Sequence, residues 1–597
     1  MDNFLQLLAL HAEQVGLVVR QDPTWGAASS ASAREPIPPA TGHRFAVAAG
    51  HEAGADSALH VWERTGNAFD AAAAATLALG VVEPHLFGLG GEVTGLVHTA
   101  GTTRVLAGAT RAPASLTIDA FKRLSVDPIP GDGILVAGPP AVLMALLLLL
   151  RDYGSAPFSV VAAPAIALAD EGFEIGAGLA RSIAAKEKSF RDYWPESAEI
   201  WMPGGALPQI GDRIRQPALA ETLRRLGKAG DEGGLDAVAS ELRTGFVAQA
   251  IIDFASEPHR SSVGLHRSSL EKSDLDKFSV RWEEPVTWTD FTGRTICKAG
   301  PWTQGPMLLE QMALMEAGGW DRLAPYEPDF VHATIETLKL AFADRDGYFG
   351  DPDLVDVPLQ ALLSPDYLRE RAKLVDMNKA GNPLPGIAKS GLQPWWRFQA
   401  GSTSGGGDTT HLDVGDGDGN LIALTPSGGW FSSPVVPELG FPLGTRCQTF
   451  WLDPEHPNAL VPGKRPRTTL TPTIVLEDGR PRYAMGTPGG DTQDQIQAQM
   501  LHGLAAGMTP EEVVDMATAV TRHHFSSFFP HGFEPQIVLA ESRLGDDLIS
   551  ALSSRGHEVL DSGAWGHGRP QVLEVTSSGE LRAAVSRRIG TAGVRAQ

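Results

Sequence analysis

A threonine that begins a strand after a long glycine-rich stretch is the residue best suited to covalent chemistry. Asp408-Thr409-Thr410-His411 directly follows GSTSGGG. A threonine hydroxyl is a weak nucleophile, but the residue's own α-amine can serve as its base once the chain is cut before it. Such an amine has a pKa of about 8, so it accepts the hydroxyl proton at neutral pH. The alternative is that a Thr-Thr pair merely starts a strand, since threonine favours β structure.

Two further loops offer groups that could bind a reacting substrate. Gly486-Thr487-Pro488-Gly489-Gly490 follows a predicted strand, and adjacent glycines let backbone N–H groups converge on one oxyanion. The alternative interpretation of this loop is an ordinary turn. The loop from Pro462 to Thr469 combines Lys and Arg side chains with the hydroxyls of Thr468 and Thr469. Its alternative is a solvated basic turn.

The sequence lacks complete metal-binding and nucleotide-binding motifs, because the required residues do not occur at the required spacing. The sequence at 416–420 resembles the opening of a calcium loop, but that loop's glycine and closing glutamate are replaced by Leu421 and Ser427. His523-His524 has no further ligand at a suitable spacing, so structural roles are favoured. Neither a phosphate-binding loop nor a G-x-S-x-G elbow is found. We therefore expect no metal and no cofactor.

The charge and cysteine counts restrict the partners. Lys+Arg 49 against Asp+Glu 71 gives a net charge of −22, which argues against nucleic-acid and anionic-membrane binding. The 2 cysteines, Cys297 and Cys447, cannot form a disulfide framework and are expected to be buried thiols. The first 20 residues lack a positively charged start, and the apolar stretch 134–150 is too short to span a bilayer. These features predict a cytoplasmic protein with a buried helix in that stretch.

The chain divides into three predicted regions. Residues 1–44 form an N-terminal extension, and 45–408 form a helix-rich region with an Ala-rich helix near its start. That region ends in a Gly/Pro/Ser-rich segment at 379–408, which we expect to be flexible. Residues 409–597 begin with two β-hairpins, each with a Gly/Asp turn between apolar strands.

Five segments, taken in order, resemble the γ-glutamyltranspeptidase family of N-terminal nucleophile hydrolases. The resemblance covers about residues 45–595. The segments are GNAFDAAAAATLALGVVEPHLFGLGG (66–91), LKLAFADRDGYFGDPDLVDVP (338–358), TTHLDVGDGDGN (409–420), PGKRPRTTLTPTIVLEDGRP (462–481) and GTPGG (486–490).

The resemblance implies an α+β fold, the four-layer αββα sandwich of this superfamily. It also implies a precursor that cleaves itself between Asp408 and Thr409. Residues up to 408 would become the large subunit and 409–597 the small subunit of a heterodimer; the sequence leaves further oligomerisation open.

The family's catalytic machinery maps onto four residues. Thr409 would be the nucleophile and, through its new amine, the base. Gly489 and Gly490 match the oxyanion-hole glycines, and Ser427 replaces a threonine that supports the nucleophile. Two residues further on, Gly429 stands where γ-glutamyl enzymes have an asparagine.

The family's substrate-recognition residues are only partly kept. Thr468 and Thr469 match the serine pair that contacts the substrate α-carboxylate. A glutamine and an aspartate that hold the glutamyl α-amino group align with Arg446 and Thr449. The family's carboxylate-binding arginine is out of register, and Arg111 is its nearest candidate.

These features predict an autoprocessed threonine amidohydrolase or acyltransferase that cleaves an amide of a small carboxylate-bearing acyl group. The loss of the ammonium-binding aspartate argues against a strict γ-glutamyl enzyme. The alternatives are a true γ-glutamyltransferase or glutathione hydrolase, an oxamate-type amidohydrolase, a biosynthetic C–C bond hydrolase, and a member without catalysis.

Overall fold

Two seven-stranded antiparallel sheets form the centre of the protein. A computed structural model describes residues 35–387, 391–397, 409–588 and 590–597. The first sheet contains, in order across it, Ala40–Gly42, Leu581–Val585, Gln571–Val575, Arg480–Gly486, Thr473–Glu477, Arg294–Lys298 and Val286–Thr289. The second sheet contains Gly593–Ala596, Phe45–Ala49, Leu412–Asp416, Leu421–Ser427, Glu92–Thr99, Thr102–Gly108 and Arg281–Glu283.

The two sheets pack face to face through small and aliphatic side chains. In the strand Phe45–Ala49, Ala46 and Ala48 join the core between the sheets. Phe45 and Val47 belong instead to the core between the second sheet and its helices. Because side chains alternate along a strand, this strand is buried on both faces.

Helices cover the outer face of the second sheet. The helix Ala68–Val82 begins at Asn67, whose side chain accepts the N–H groups of Phe69 and Asp70, and every residue in it is buried. The predicted Ala-rich helix is thereby confirmed. Its neighbours in this layer are Glu52–Thr65, Val142–Tyr153, Phe158–Glu171, Ala177–Asp192, Pro195–Trp201, Pro217–Arg243 (with a break at Gly233 and Gly234) and Phe246–Ser256.

A second helical layer covers the first sheet, which completes the predicted αββα order. Gly305–Gly318 and Gln493–Ala505 pack directly on the sheet. Pro328–Tyr348 lies against Gly305–Gly318 and is buried along nearly its whole length. The remaining α-helices are Ile118–Leu124, Lys272–Asp276, Leu359–Leu362, Pro365–Ala372, Pro510–Val514 and Asp546–Ser554.

Short elements connect these layers. The small sheets pair Val435–Val436 with Phe441–Pro442, Phe173–Glu174 with Arg213–Ile214, His259–Ser261 with Gly264–His266, and Ile537–Ala540 with both Ala519–Thr521 and Glu558–Asp561. The 3₁₀ helices are Ile134–Val136, Pro203–Gly205, Arg446–Thr449, Gly490–Thr492 and Ser542–Leu544.

Several sequence predictions can be compared with these elements. Both predicted hairpins form, and the apolar stretch 134–150 contains the start of the buried helix Val142–Tyr153. Among the described residues, every helix is too short or too polar to cross a bilayer. Residues 1–34 of the predicted extension, and 388–390 and 398–408 of the segment expected to be flexible, lie outside the described residues.

Candidate active site

Thr409 lies just before the strand Leu412–Asp416 of the second sheet and faces Ser427. The two residues form an antiparallel bridge, and the Thr409 hydroxyl donates to Ser427 Oγ over 3.2 Å. Both side chains are buried. The structure therefore brings the predicted nucleophile and its supporting hydroxyl together. Asp408, the other half of the predicted cleavage site, lies outside the described residues.

The hairpin that follows Thr409 sets this register. Leu412–Asp416 pairs with Leu421–Ser427, so continuing the pairing backwards places Thr409 opposite Ser427. The turn between the strands is closed by Asp416, whose carboxylate accepts the backbone N–H groups of Asp418 and Asn420. The sequence resembling a calcium loop is thus a hairpin turn, as predicted.

Arg446 makes the next contact outward from the nucleophile. Its Nη2 donates to Ser427 Oγ over 3.0 Å, and its Nε lies 2.6 Å from Glu92 Oε1. The guanidinium carbon lies 5.1 Å from the ring centre of Trp430 and 5.5 Å from that of Phe528. Such stacking suits the planar guanidinium and holds it in place. Its Nη1 is buried and has no hydrogen-bond partner among the described residues.

Glu92 is a residue of this site that the sequence analysis missed. It begins the strand Glu92–Thr99, directly opposite Ser427, and its side chain is 2% exposed. Its Oε1 accepts the Thr468 hydroxyl over 3.1 Å, and its Oε2 accepts the Thr110 backbone N–H over 3.2 Å. The carboxylate therefore joins Arg446 to a predicted substrate-binding threonine.

The glycines before Glu92 allow this close approach. A Cβ at Gly91 would lie 2.3 Å from the Ser427 carbonyl oxygen, and one at Gly88 would lie 2.3 Å from the Gly429 carbonyl oxygen. Since such distances are impossible for a real side chain, only glycine permits the two backbones to pack here. An acidic residue immediately after this glycine run was the available signal for Glu92.

The two predicted substrate-binding threonines are not equivalent. Thr468 donates to Glu92, so its hydroxyl is already engaged within the protein. The hydroxyl of Thr469 is buried and has no hydrogen-bond partner among the described residues. Thr469 Oγ1 and Arg446 Nη1 are thus two polar atoms of the predicted recognition set that remain available for a ligand.

The predicted oxyanion loop adopts conformations that require glycine. Gly489 and Gly490 have φ angles of 134° and 56°. Neither of their amide N–H groups donates a hydrogen bond to another described residue. The ring of Phe528 lies 3.2 Å from the position of a Cβ at Gly490, and the same ring stacks on Arg446. This contact connects the loop to the nucleophile through Arg446 and Ser427.

Arg111, the candidate for the family's carboxylate-binding arginine, contacts residues outside the Thr409–Arg446–Glu92 network. Its Nη1 donates to the Gly463 carbonyl over 2.9 Å, and its Nη2 lies 3.6 Å from Asp353 Oδ2. Its contacts therefore lie with the loop before Thr468 and with the acidic residues after Phe349. Thr449, the other altered recognition position, donates its hydroxyl to the backbone carbonyl of Arg446.

Two groups of buried side chains lie outside this site. Both cysteines are free and buried, as predicted. His332 and Glu336, on the helix Pro328–Tyr348, lie close to His557, which directly precedes the strand Glu558–Asp561; their ligand atoms are within 4.8 Å of one another. The Lys339 ammonium donates to Glu336 Oε1 over 2.7 Å, so this cluster holds a buried ion pair.

Comparison with known proteins identifies the family of this chain. The sequence model of the family described as gamma-glutamyltranspeptidase matches residues 54–594. The chain therefore belongs to the γ-glutamyltranspeptidase family of N-terminal nucleophile hydrolases, and it is an enzyme of the amidohydrolase or acyltransferase kind.

Individual relatives are similar over most of their length. The chain is 28% identical to the glutathione hydrolase proenzyme of Bacillus subtilis (strain 168), over 86% of this chain and 84% of that protein. It is 31% identical to the oxamate amidohydrolase proenzyme of Klebsiella pneumoniae, over 87% of this chain and 91% of that protein. The solved structure of LmbA2991HD superposes with a TM-score of 0.88 at 38% identity, covering 94% of this chain and all of that one.

Proposed function

We propose that the protein is an autoprocessed threonine amidohydrolase or acyltransferase with Thr409 as its nucleophile. Cleavage between Asp408 and Thr409 gives Thr409 a free amine, which takes the proton of its own hydroxyl. Thr409 Oγ then attacks the amide carbonyl of the substrate, and the N–H groups of Gly489 and Gly490 stabilise the oxyanion. The leaving amine takes the proton back from the Thr409 ammonium. Water, or an acceptor amine, attacks the acyl-Thr409 ester and restores the enzyme.

One observation carries this proposal: the Thr409 hydroxyl donates to Ser427, and the Gly489–Gly490 loop, which contacts this site through Phe528 and Arg446, has two N–H groups that donate to no described residue. A nucleophile fixed by a neighbouring hydroxyl and paired with unoccupied donors is the arrangement that acyl transfer requires.

For the substrate, we propose a small acyl group that bears a carboxylate and no ammonium. Arg446 Nη1 and Thr469 Oγ1 are buried polar groups without partners among the described residues, and both can donate to carboxylate oxygens. Glu92, an acidic residue of this site, is already ion-paired with Arg446, so it is not available to an ammonium. A dicarboxylic half-amide such as oxamate fits these groups, and the oxamate amidohydrolase of Klebsiella pneumoniae is among the relatives.

The nucleophile is tested by substitution at Thr409. The purified wild type should separate on a denaturing gel into two chains, of 408 and 189 residues by the 597-residue sequence, the smaller one starting Thr-Thr-His-Leu. Thr409→Ala should stay uncleaved and inactive, whereas Thr409→Ser should retain cleavage because it keeps the hydroxyl. Normal turnover by Thr409→Ala would overturn the assignment.

The substrate class is tested by comparing oxamate with γ-glutamyl-p-nitroanilide on the processed enzyme. We expect faster turnover of oxamate, and an Arg446→Met substitution should raise its KM. Rapid release of p-nitroaniline with no turnover of oxamate would favour a true γ-glutamyl enzyme instead.

A further inference from the structure

The two glycines of the oxyanion loop are held by their carbonyl groups. The Gly489 carbonyl accepts the backbone N–H of Thr492 over 3.0 Å and its hydroxyl over 2.8 Å. The Gly490 carbonyl accepts the Gln493 backbone N–H and also the side-chain amide of Gln304, over 3.3 Å. Gln304 lies in the predicted large subunit, so this last contact comes from outside the loop's own chain.

Besides its contact with Gly490, Gln304 is fixed at two further points. Its backbone N–H donates to the Thr468 carbonyl over 3.2 Å, and its side-chain oxygen accepts Nη1 of Arg345 over 3.2 Å. Because Arg345 can only donate, it leaves the Gln304 amide nitrogen to face Gly490. Gln304 therefore connects the oxyanion loop to the predicted substrate-binding segment.

Arg345 anchors the other side of the loop. It is fully buried, its Nη1 donates to Asp491 Oδ1 over 2.5 Å, and its Nη2 donates to the Phe525 carbonyl over 2.7 Å. Asp491 Oδ2 in turn accepts the Ser527 backbone N–H over 2.9 Å. Burial alone would raise the pKa of Asp491, but Arg345 and the Ser527 hydrogen bonds outweigh it and lower the pKa to about 2. The ion pair therefore stays charged at neutral pH.

We propose that Gln304 and Arg345 are positioning residues, which fix the direction of the Gly489 and Gly490 N–H groups from the large subunit. The inference rests on the proposed function, in which those two groups bind the oxyanion. A glycine pair with positive φ angles has many accessible conformations, so its N–H groups converge only if the surroundings restrain them. Donors fixed in advance stabilise a transition state without reorganising during the reaction.

The test replaces the Gln304 side chain in two ways. Gln304→Met removes both polar atoms, whereas Gln304→Glu keeps an acceptor for Arg345 but loses the donor to the Gly490 carbonyl. Misplacing a donor acts on the transition state more than on substrate binding. We therefore expect both variants to lower kcat about tenfold or more, with KM changed less than about threefold. Rates are counted per mole of cleaved enzyme, quantified from the two bands of a denaturing gel.

The matched control is Gln311→Met. Gln311 is a fully buried glutamine on the helix Gly305–Gly318, which begins directly after Gln304. Its side-chain amide donates over 3.2 Å to the hydroxyl of Thr337, a residue of the helix Pro328–Tyr348 rather than of the loop. The kcat of the Gln311→Met variant should stay within about twofold of the wild-type value.

Two results would overturn the inference. A Gln304→Glu variant with wild-type kcat would show that the donor to Gly490 is not needed, and an equal loss in Gln311→Met would indicate general destabilisation. If Thr409→Ala is inactive while both Gln304 variants keep their kcat, this inference fails and the proposed function stands. If Thr409→Ala remains active, the proposed function fails first.

Discussion

The ion pair between Glu92 and Arg446 allows a quantitative prediction at the centre of the site. The carboxylate and guanidinium lie 2.6 Å apart, and their side chains are 2% and 1% exposed. Glu92→Gln keeps the shape of the side chain but leaves the Arg446 charge buried and uncompensated. Removing one partner of a buried ion pair costs about 3–5 kcal/mol of folding free energy, most of it from the charge left behind.

Replacing both partners should therefore cost less than the two single changes added together. We expect Glu92→Gln to lower the free energy of unfolding by about 3 kcal/mol or more. In the double variant with Arg446→Met, the coupling should recover about 2 kcal/mol, since no charge remains buried. The methionine side chain fits between Trp430 and Phe528, because sulfur contacts aromatic rings favourably.

Urea unfolding measures these differences in the Thr409→Ala background, where we expect the chain to stay in one piece. Tryptophan fluorescence reports locally, because the Trp430 ring lies 5.1 Å from the Arg446 guanidinium carbon. The control is Glu187→Gln, which breaks an ion pair with Arg191 whose side chains are 38% and 44% exposed. That change should shift stability by no more than about 0.5 kcal/mol, as surface pairs do. A Glu92→Gln effect as small as this one, or strict additivity in the double variant, would refute the reasoning.

Two further predictions concern packing and pH. Gly486→Ala should lower the free energy of unfolding by about 1–3 kcal/mol in the same urea assay, because its Cβ would lie 2.3 Å from the His411 ring. The control Gly178→Ala should not, because its Cβ would lie 3.4 Å from the nearest atom of His85, an ordinary van der Waals distance. Burial, with repulsion from Arg294, lowers the pKa of His502 to about 4. His502 therefore binds a proton below about pH 6.5 in the unfolded state but only below about pH 4 in the native state. The free energy of unfolding consequently falls as the pH falls through this range. Between pH 7 and pH 5, the free energy of unfolding of His502→Gln should therefore fall by about 2 kcal/mol less than that of the wild type. The control His60→Gln, at an exposed histidine, should change this fall little. An equal fall in both variants would contradict the assignment.

The sequence predicted those parts of the fold and site that depend on local pattern. The alanine run after Asn67 predicted a helix, which the structure shows to be fully buried. The strand–turn–strand pattern after Thr409 predicted the hairpin, and in the structure this hairpin places Thr409 opposite Ser427. Both follow from interactions between residues near one another in the chain. The adjacent glycines Gly489 and Gly490 suggested an oxyanion loop, and family resemblance supplied candidates such as Ser427 and Arg446; their catalytic roles stay predictions.

Contacts between residues far apart in the chain could not be predicted from local sequence patterns. Glu92 and Arg446 are separated by more than 350 positions, so no local period links the carboxylate to the guanidinium. Arg111 was chosen for its place before an Ala-Pro-Ala stretch, yet its partners are Gly463 and Asp353. In both cases the deciding quantity is which charges the sheets and loops bring within a few ångströms, and a single sequence does not carry that information directly.

The interleaving of strands explains how the proposed cleavage could create a nucleophile without disturbing its position. Leu412–Asp416 pairs on one side with Phe45–Ala49, from the predicted large subunit, and on the other with Leu421–Ser427. Leu421–Ser427 is in turn paired along its length with Glu92–Thr99, also from the large subunit. The position of Thr409 is thus set by the sheet and by its bridge to Ser427, rather than by the peptide bond that precedes it. Scission at that bond would release one chain end while every neighbouring strand stays hydrogen-bonded, so the new amine would form within an already assembled site.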